Sequence, residues 1–269
     1  MGKTQKAASG LTRRVKVSFG IGDLGGNLFF TAMGFYTLYY LTDVVGINAA
    51  LAGIAILVGK FWDAVTDPMV GYLSDRTRSR WGRRRPYFLF GALPLLLAAW
   101  YFFSAPDFSG NQTLGFLWAT AFLCLLNTAY TVVNIPYGSL TPDLTKDFKE
   151  RTTLNGYRFS FAVIGTILGA AIVQPIVDLV GDPHRGFSIV GLVFGVVMAA
   201  TILTTFFNVR ESAASLADRP KEKFLPTFLA VFKNAAYKKL AFVYTMNLTG
   251  LTFVQSMLVY YFKYIYRDE

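Results

Sequence analysis

Apolar residues in this chain gather into long, nearly chargeless runs rather than into the alternation of a half-buried strand. A helix needs about 20 mainly apolar residues to cross a bilayer, and seven runs meet that length. The first covers about Phe19 to Leu41 and the second Ala49 to Leu73, with a short turn around Asp43 between them. The third is Pro86 to Pro106, the fourth lies within the stretch from Phe108 to Pro142, and the fifth ends near Val180. Gly186 to Val209 and Leu240 to Phe262 complete the set. Gly165, Gly169, Ala170 and Ala171 suit close helix contact. The pattern predicts an all-α integral membrane protein: a tail over 1–18, a six-helix bundle over 19–209, a connection over 210–239 and a seventh helix over 240–266. Within the connection, Phe224 to Phe232 reads as an interfacial helix.

Composition supports the membrane assignment, because 54% of the 269 residues are hydrophobic and soluble domains stay nearer 45–50%. The net charge of +10 would suggest nucleic acid in a soluble protein, but its placement reports topology instead. The tail, the Arg76–Arg85 loop, the Lys146–Arg151 loop and the connection hold 21 of the 26 Lys and Arg, all on one side of a seven-span count. That side is expected to be cytoplasmic, with the N-terminus on it, in the cell membrane; no nucleic-acid partner is expected. The tail lacks the apolar core and cleavage site of a signal peptide. Cys124 and His184 are the only residues of their kinds, which excludes an internal disulfide, a cysteine-based metal centre and a Ser-His-Asp triad. No enzyme and no cofactor are predicted.

Charge inside the runs is the remaining signal. Asp63 and Asp67 stand one helical turn apart on one face of the second run, with Thr66 beside them. A carboxylate at mid-membrane costs roughly 2.5–3.5 kcal/mol, and two close together do not both ionise without a cation. A bound Na⁺ held by carboxylate and hydroxyl oxygens would satisfy the pair, as would a shared proton. The competing reading is a static salt-bridge network with Lys60, three residues earlier.

The motif Gly71-x-Leu73-x-Asp75-Arg76 followed by basic residues resembles the loop signature of the major facilitator superfamily. Trp62-Asp63-Ala-x-x-Asp67-Pro68 with Ser79-Arg-Trp-Gly82 and Arg85-Pro86 resembles its glycoside–pentoside–hexuronide:cation symporter family, melibiose permease-like proteins. That resemblance implies the N-terminal six-helix half of such a symporter plus one further helix, coupling Na⁺ or H⁺ to a small polar solute, a sugar or glycoside, by alternating access. It implies Asp63, Asp67, Thr66 and Thr131 at the cation, with the thiols and imidazoles of ordinary metal sites absent. It places Asn27, Asn134, Tyr130 and Arg158 toward the solute, with Asp23 nearby, although Asp23 reads equally well as an interfacial cap. Asn27 and Asn134 stand where family members carry sugar-binding aspartates, and Gly138 where they carry an aromatic; these departures argue for a different ligand. Asp75 with Arg76, Arg83, Arg84 and Arg85 would latch helix ends and control access. An arginine near a span end can also simply snorkel to the interface, as Arg158 could. The other readings are a sodium-coupled symporter of an amphipathic lipid, or a truncated membrane protein that does not transport. On the first reading a missing C-terminal half is required for transport.

Overall fold

A computed structural model describes residues 10–211 and 233–266, so the expected interfacial helix at Phe224 to Phe232 lies outside the described residues. The described chain is helical. Helix α1 (Arg13–Tyr39) starts on Thr12, whose hydroxyl accepts from the Val15 amide, and relaxes into a π turn at Tyr40–Val44. Helix α2 (Ala49–Arg76) is capped by Asn48, α3 runs Arg85–Phe102, and α4 (Gln112–Gly138) is capped by Asn111. A single turn, α5 (Thr141–Leu144), leads to α6 (Phe148–Ala171), which begins on Asp147. Helices α7 (Val173–Val180) and α8 (Pro183–Asn208) follow, and α9 (Ala235–Tyr261) ends in a π turn at Phe262–Tyr266.

Several boundaries differ from those expected, each for a local reason. The fifth span is split at Ile172, because Pro175 has no N–H to offer the Ala171 carbonyl one turn back. The sixth begins at Pro183 rather than Gly186, since Asp182 caps the His184 amide. The third stops at Phe102 rather than Pro106; there the Ser104 hydroxyl bonds back to the Trp100 carbonyl, and the Ala105 amide donates to the Tyr40 hydroxyl at 3.0 Å. Among the described residues five helical segments, rather than the seven expected, are long and apolar enough to cross a membrane: Ala49–Arg76, Gln112–Leu144, Phe148–Val180, Pro183–Asn208 and Ala235–Tyr266.

Helix α1 is the axis of the bundle. It packs against α6 and α8, while α8 also meets α3, and α3 continues onto α4 and so to α2. The α1–α6 contact depends on two glycines: a Cβ on Gly165 or Gly169 would strike the Leu24 or Leu28 carbonyl. Gly165→Leu is therefore expected to prise α6 from α1 and lower stability by about 1–3 kcal/mol, the usual range for overpacking; thermal unfolding in detergent would register it.

Apolar side chains such as Phe61, Phe90 and Leu179 stand exposed on the outside of the bundle, as lipid-facing residues do. Helix α9 runs parallel to α1: Ser256 donates to the Gly34 carbonyl, the Tyr260 and Thr42 hydroxyls lie 2.6 Å apart, and Lys263 binds Asp43 at 2.6 Å. No residue of α9 is buried.

Candidate cation and solute sites

Helix α4 carries the polar chemistry. Asn127, Tyr130, Thr131 and Asn134 recur at helical spacing; the stripe packs on α2, and Tyr130 reaches α1, its hydroxyl donating to the Gly26 carbonyl at 3.4 Å. Against α2, Asn127 donates to the Gly59 carbonyl at 3.2 Å, and the Trp62 indole donates to Thr128 at 2.8 Å. These bonds fix the register of the two helices.

That register brings Thr131 to Asp67. Its buried hydroxyl donates to Asp67 Oδ1 at 2.7 Å, across 64 residues of sequence. One turn earlier, Asp63 Oδ2 lies 3.8 Å from Lys60 Nζ, whose side chain is 61% exposed. Asp63 Oδ1 is buried and accepts no hydrogen bond. An orphaned carboxylate oxygen beside a second carboxylate and a threonine is an oxygen-only donor set, which suits a hard cation or a proton. Thr66 is buried too, but its hydroxyl donates within its own helix, to the Trp62 carbonyl at 3.1 Å. Its lone pairs are what it can still offer. Among the described residues no group of three His, Cys, Asp or Glu gathers.

The second cluster lies between α1, α4 and α6. Arg158 on α6 grips Asp23 on α1 with both prongs, Nε to Oδ2 at 2.6 Å and Nη2 to Oδ1 at 3.3 Å. Its Nη1 donates to the Thr141 hydroxyl at 3.0 Å. Tyr137 on α4 completes the group, donating to the Phe19 carbonyl at 2.5 Å and reaching Asp23 Oδ2 at 3.0 Å. Arg158 thus neither snorkels nor stands open to the cavity, as sequence had it, and Asp23 is its partner rather than an interfacial cap.

Next to this pair is a small cavity lined by Gly22, Gly26, Tyr130, Asn134, Tyr137 and Thr201, among others. Tyr130 and Asn134 both line it, together with the apolar Leu95, Val133, Met198 and Ile202. Asn27 is less available, because its amide nitrogen donates to the Asp23 carbonyl of its own helix at 2.8 Å. Gly138 has nothing within 4 Å of the place a Cβ would take. Pro136 sits two residues from the end of α4.

At the basic end of the bundle the arginine loop divides its work. Asp143, with its side chain 1% exposed, receives Arg84 Nη1 at 2.6 Å and Arg83 Nη2 at 3.1 Å, and Arg84 Nη2 reaches Asp75 at 2.9 Å. Arg85 instead covers the end of α8, donating through Nη2 to the Phe206 carbonyl at 2.6 Å, where a cation meets the negative pole of the helix. Arg76 lies over the Tyr72 ring of its own helix. Sequence reasoning missed Glu211, whose carboxylate accepts the Arg83, Arg84 and Arg85 amides at 2.8–3.2 Å. It also missed Asp143 as the hub. Only their positions, just past the end of α8 and in the single turn α5, signal either role.

Comparison with known proteins gives this arrangement a context. Residues 18–269 match the family described as MFS/sugar transport protein. The chain is 31% identical over 262 residues to a putative sulfoquinovose importer of Salmonella typhimurium, covering 96% of this chain and 55% of that protein. It is 28% identical over 257 residues to the isoprimeverose transporter of Lactiplantibacillus pentosus, covering 94% and 53%. A sodium-dependent lysophosphatidylcholine symporter of Danio rerio is 34% identical over 184 residues, 68% of this chain and 34% of that protein. The chain spans about half the length, or less, of these relatives. A match over nearly the whole chain, with the helical architecture described above, establishes that the chain belongs to the MFS/sugar transport protein family.

Proposed function

We propose that this chain forms the cation-binding half of a symporter that couples Na⁺ or H⁺ to a small polar solute. The observation that carries the reading is the join between Asp67 on α2 and Thr131 on α4, beside the orphaned oxygen of Asp63. The same helix α4 presents Tyr130 and Asn134 to the neighbouring cavity, so an ion that pulls α2 and α4 together alters the solute pocket directly. That is the physical content of reciprocal coupling. Neutral hydroxyl oxygens at Thr131 and Thr66 favour Na⁺, and one relative is named as sodium-dependent.

A second bundle of like architecture would supply the opposite wall of the cavity, with the site between the two halves and access alternating by rocking. The open faces of α9 suit such a partner. The arginine-rich end is the cytoplasmic one by its charge, and the Asp143 cluster holds the helices closed there. A symporter of an amphipathic lipid is the second reading, favoured by an apolar groove of about 630 Å³ between α3 and α4 that runs from Thr77 to Tyr101.

Uptake into sealed vesicles by the protein as its host makes it separates these readings. A sodium or proton gradient is expected to drive accumulation of a sugar or glycoside. Accumulation indifferent to both gradients would overturn cation coupling, and sodium-driven uptake of a lysolipid in place of sugar would favour the second reading.

A further inference from the structure

We infer that the outer groove between α3 and α4 seats an anionic phospholipid, with one acyl chain along the groove and the phosphate at Arg78 and Arg80. The groove, about 630 Å³ in volume, runs from Thr77 and Tyr87 at the arginine-rich end to Tyr101. It exists because the residues along its floor are small. Gly91 and Ala98 on α3 and Ala129 on α4 leave a trough, and Phe90, Leu97 and Leu125 stand exposed beside it. Its hydroxyls are already engaged: those of Thr77 and Tyr87 lie 2.7 Å apart, and Thr128 donates to the Cys124 carbonyl while accepting from the Trp62 indole. What remains for an occupant is carbon, which suits a hydrocarbon chain and penalises a polar solute. From Pro86 to Tyr101 the groove follows α3 for about 22 Å at 1.5 Å per residue. The hydrocarbon depth of one leaflet is about 15 Å, half of a ~30 Å core, so a single chain entering from the arginine-rich end is accommodated along its length.

Charge specifies the head group. The segment from Asp75 to Arg85 carries six arginines and one carboxylate. Arg83 and Arg84 are engaged by Asp143 and Asp75, and Arg85 by the Phe206 carbonyl. Arg78 and Arg80 are exposed and directly follow Thr77 at the mouth of the groove. A basic cluster beside an apolar surface attracts the anionic lipids of the cytoplasmic leaflet, the side proposed above for this end. The guanidinium fork also matches a phosphate oxygen pair. A zwitterionic lipid offers the same phosphate but brings its own cation to the arginines, and is bound less well.

The position of the groove makes this lipid a fixture rather than cargo. On α4, Leu125, Ala129 and Val132 share the face turned to the groove, whereas Tyr130 and Asn134 lie on the opposite face, toward α1 and the small cavity. The chain therefore lies against the back of the helix that carries the proposed solute residues.

The test uses the protein as its host makes it, in phosphatidylcholine vesicles containing a trace of photoreactive phosphatidylglycerol or photoreactive phosphatidylcholine of the same chains. Labelled peptides are mapped by mass spectrometry. The phosphatidylglycerol probe is expected to label α3 and α4 along the groove at least about tenfold more than the phosphatidylcholine probe, and the other faces about equally. Arg78→Gln with Arg80→Gln is expected to bring the two probes within about twofold at the groove, because each surface arginine adds to the attraction for anionic lipid. Leu125→Trp with Val132→Phe, which fills the trough, is expected to remove most groove labelling by either probe while sparing the other faces. Arg80→Gln alone and Leu125→Trp alone, both at exposed positions, stand in where a double variant fails to fold and are expected to shift the labelling in the same directions.

Equal labelling of the groove by both probes in the wild type would mean ordinary bilayer contact and would overturn the inference. So would an unchanged preference in the arginine variant, or groove labelling that survives filling of the trough. Displacement of the phosphatidylglycerol probe by lysophosphatidylcholine only when Na⁺ is present would make the groove a cargo path, and would overturn it as well.

Discussion

Asp67→Asn is expected to weaken cation binding by about 10²–10³-fold and to uncouple solute binding from the ion. The magnitude follows from Coulomb's law: two unit charges about 4 Å apart gain ~4 kcal/mol at an effective dielectric of about 20, and each ~1.4 kcal/mol is a factor of ten. A directly ligated ion sits closer than that, so the estimate is conservative. Replacing the Asp67 carboxylate with an amide also turns one acceptor into a donor beside the Thr131 hydroxyl, which donates to Oδ1 at 2.7 Å. Thr131→Val keeps the shape and removes the hydroxyl. It is expected to cost about tenfold, in line with a hydrogen bond to a charged group, and Thr131→Ser is expected to restore most of the loss. Calorimetric titration with NaCl against KCl, on wild type and the three variants, measures this series. Equal sodium affinity in wild type and Asp67→Asn would reduce the carboxylates to a static network with Lys60.

Those residues were legible in the sequence because a charge inside an apolar run is conspicuous, and i, i+4 spacing fixes which face carries it. Helices stand over the seven expected runs, but among the described residues only five segments are long and apolar enough to cross a membrane, and α1 and α3 are not among them. Partnership across the fold was not legible. Asp23 and Arg158 each stood out alone, but 135 residues separate them, and nothing in the local pattern says that one neutralises the other. Asn27 has the spacing of a pocket residue, yet its amide is used within α1 by a bond to its own preceding turn. Glu211 reads as the first acid of a polar connection, and only the approach of α8 to the α2–α3 loop turns it into an acceptor for three backbone amides. The break at Ile172 was available from Pro175, but a chargeless run that continues to Val180 conceals it. The sequence determines where polar groups enter the membrane; packing determines which of them meet.

Asp143→Ala is expected to be the most damaging single change at the basic end of the bundle. The loop's arginines look like topology signals, and most positive-inside charge is solvated, where a pair is worth roughly 0–1 kcal/mol. Arg83 and Arg84 are different: their side chains are 10% and 4% exposed, and both converge on a carboxylate that is 1% exposed. Removing Asp143 takes a buried carboxylate away from two buried guanidinium groups, and breaking a buried charge pair costs about 3–5 kcal/mol. Asp75, with its side chain 55% exposed, still holds Arg84 at 2.9 Å, in a position where water weakens the pair. The loss falls on the tie between α5 and the α2–α3 loop, so the variant is expected to favour opening at this end as well as to unfold more readily. Cysteines introduced at exposed Arg78 and Lys146 would report the opening through faster alkylation in membranes. Asp143→Asn, which keeps a hydrogen-bond acceptor but not the charge, is expected to fall between wild type and alanine. If alkylation and thermal stability are the same in all three proteins, the cluster is not a latch, and the barrier to opening at this end must come from apolar packing alone.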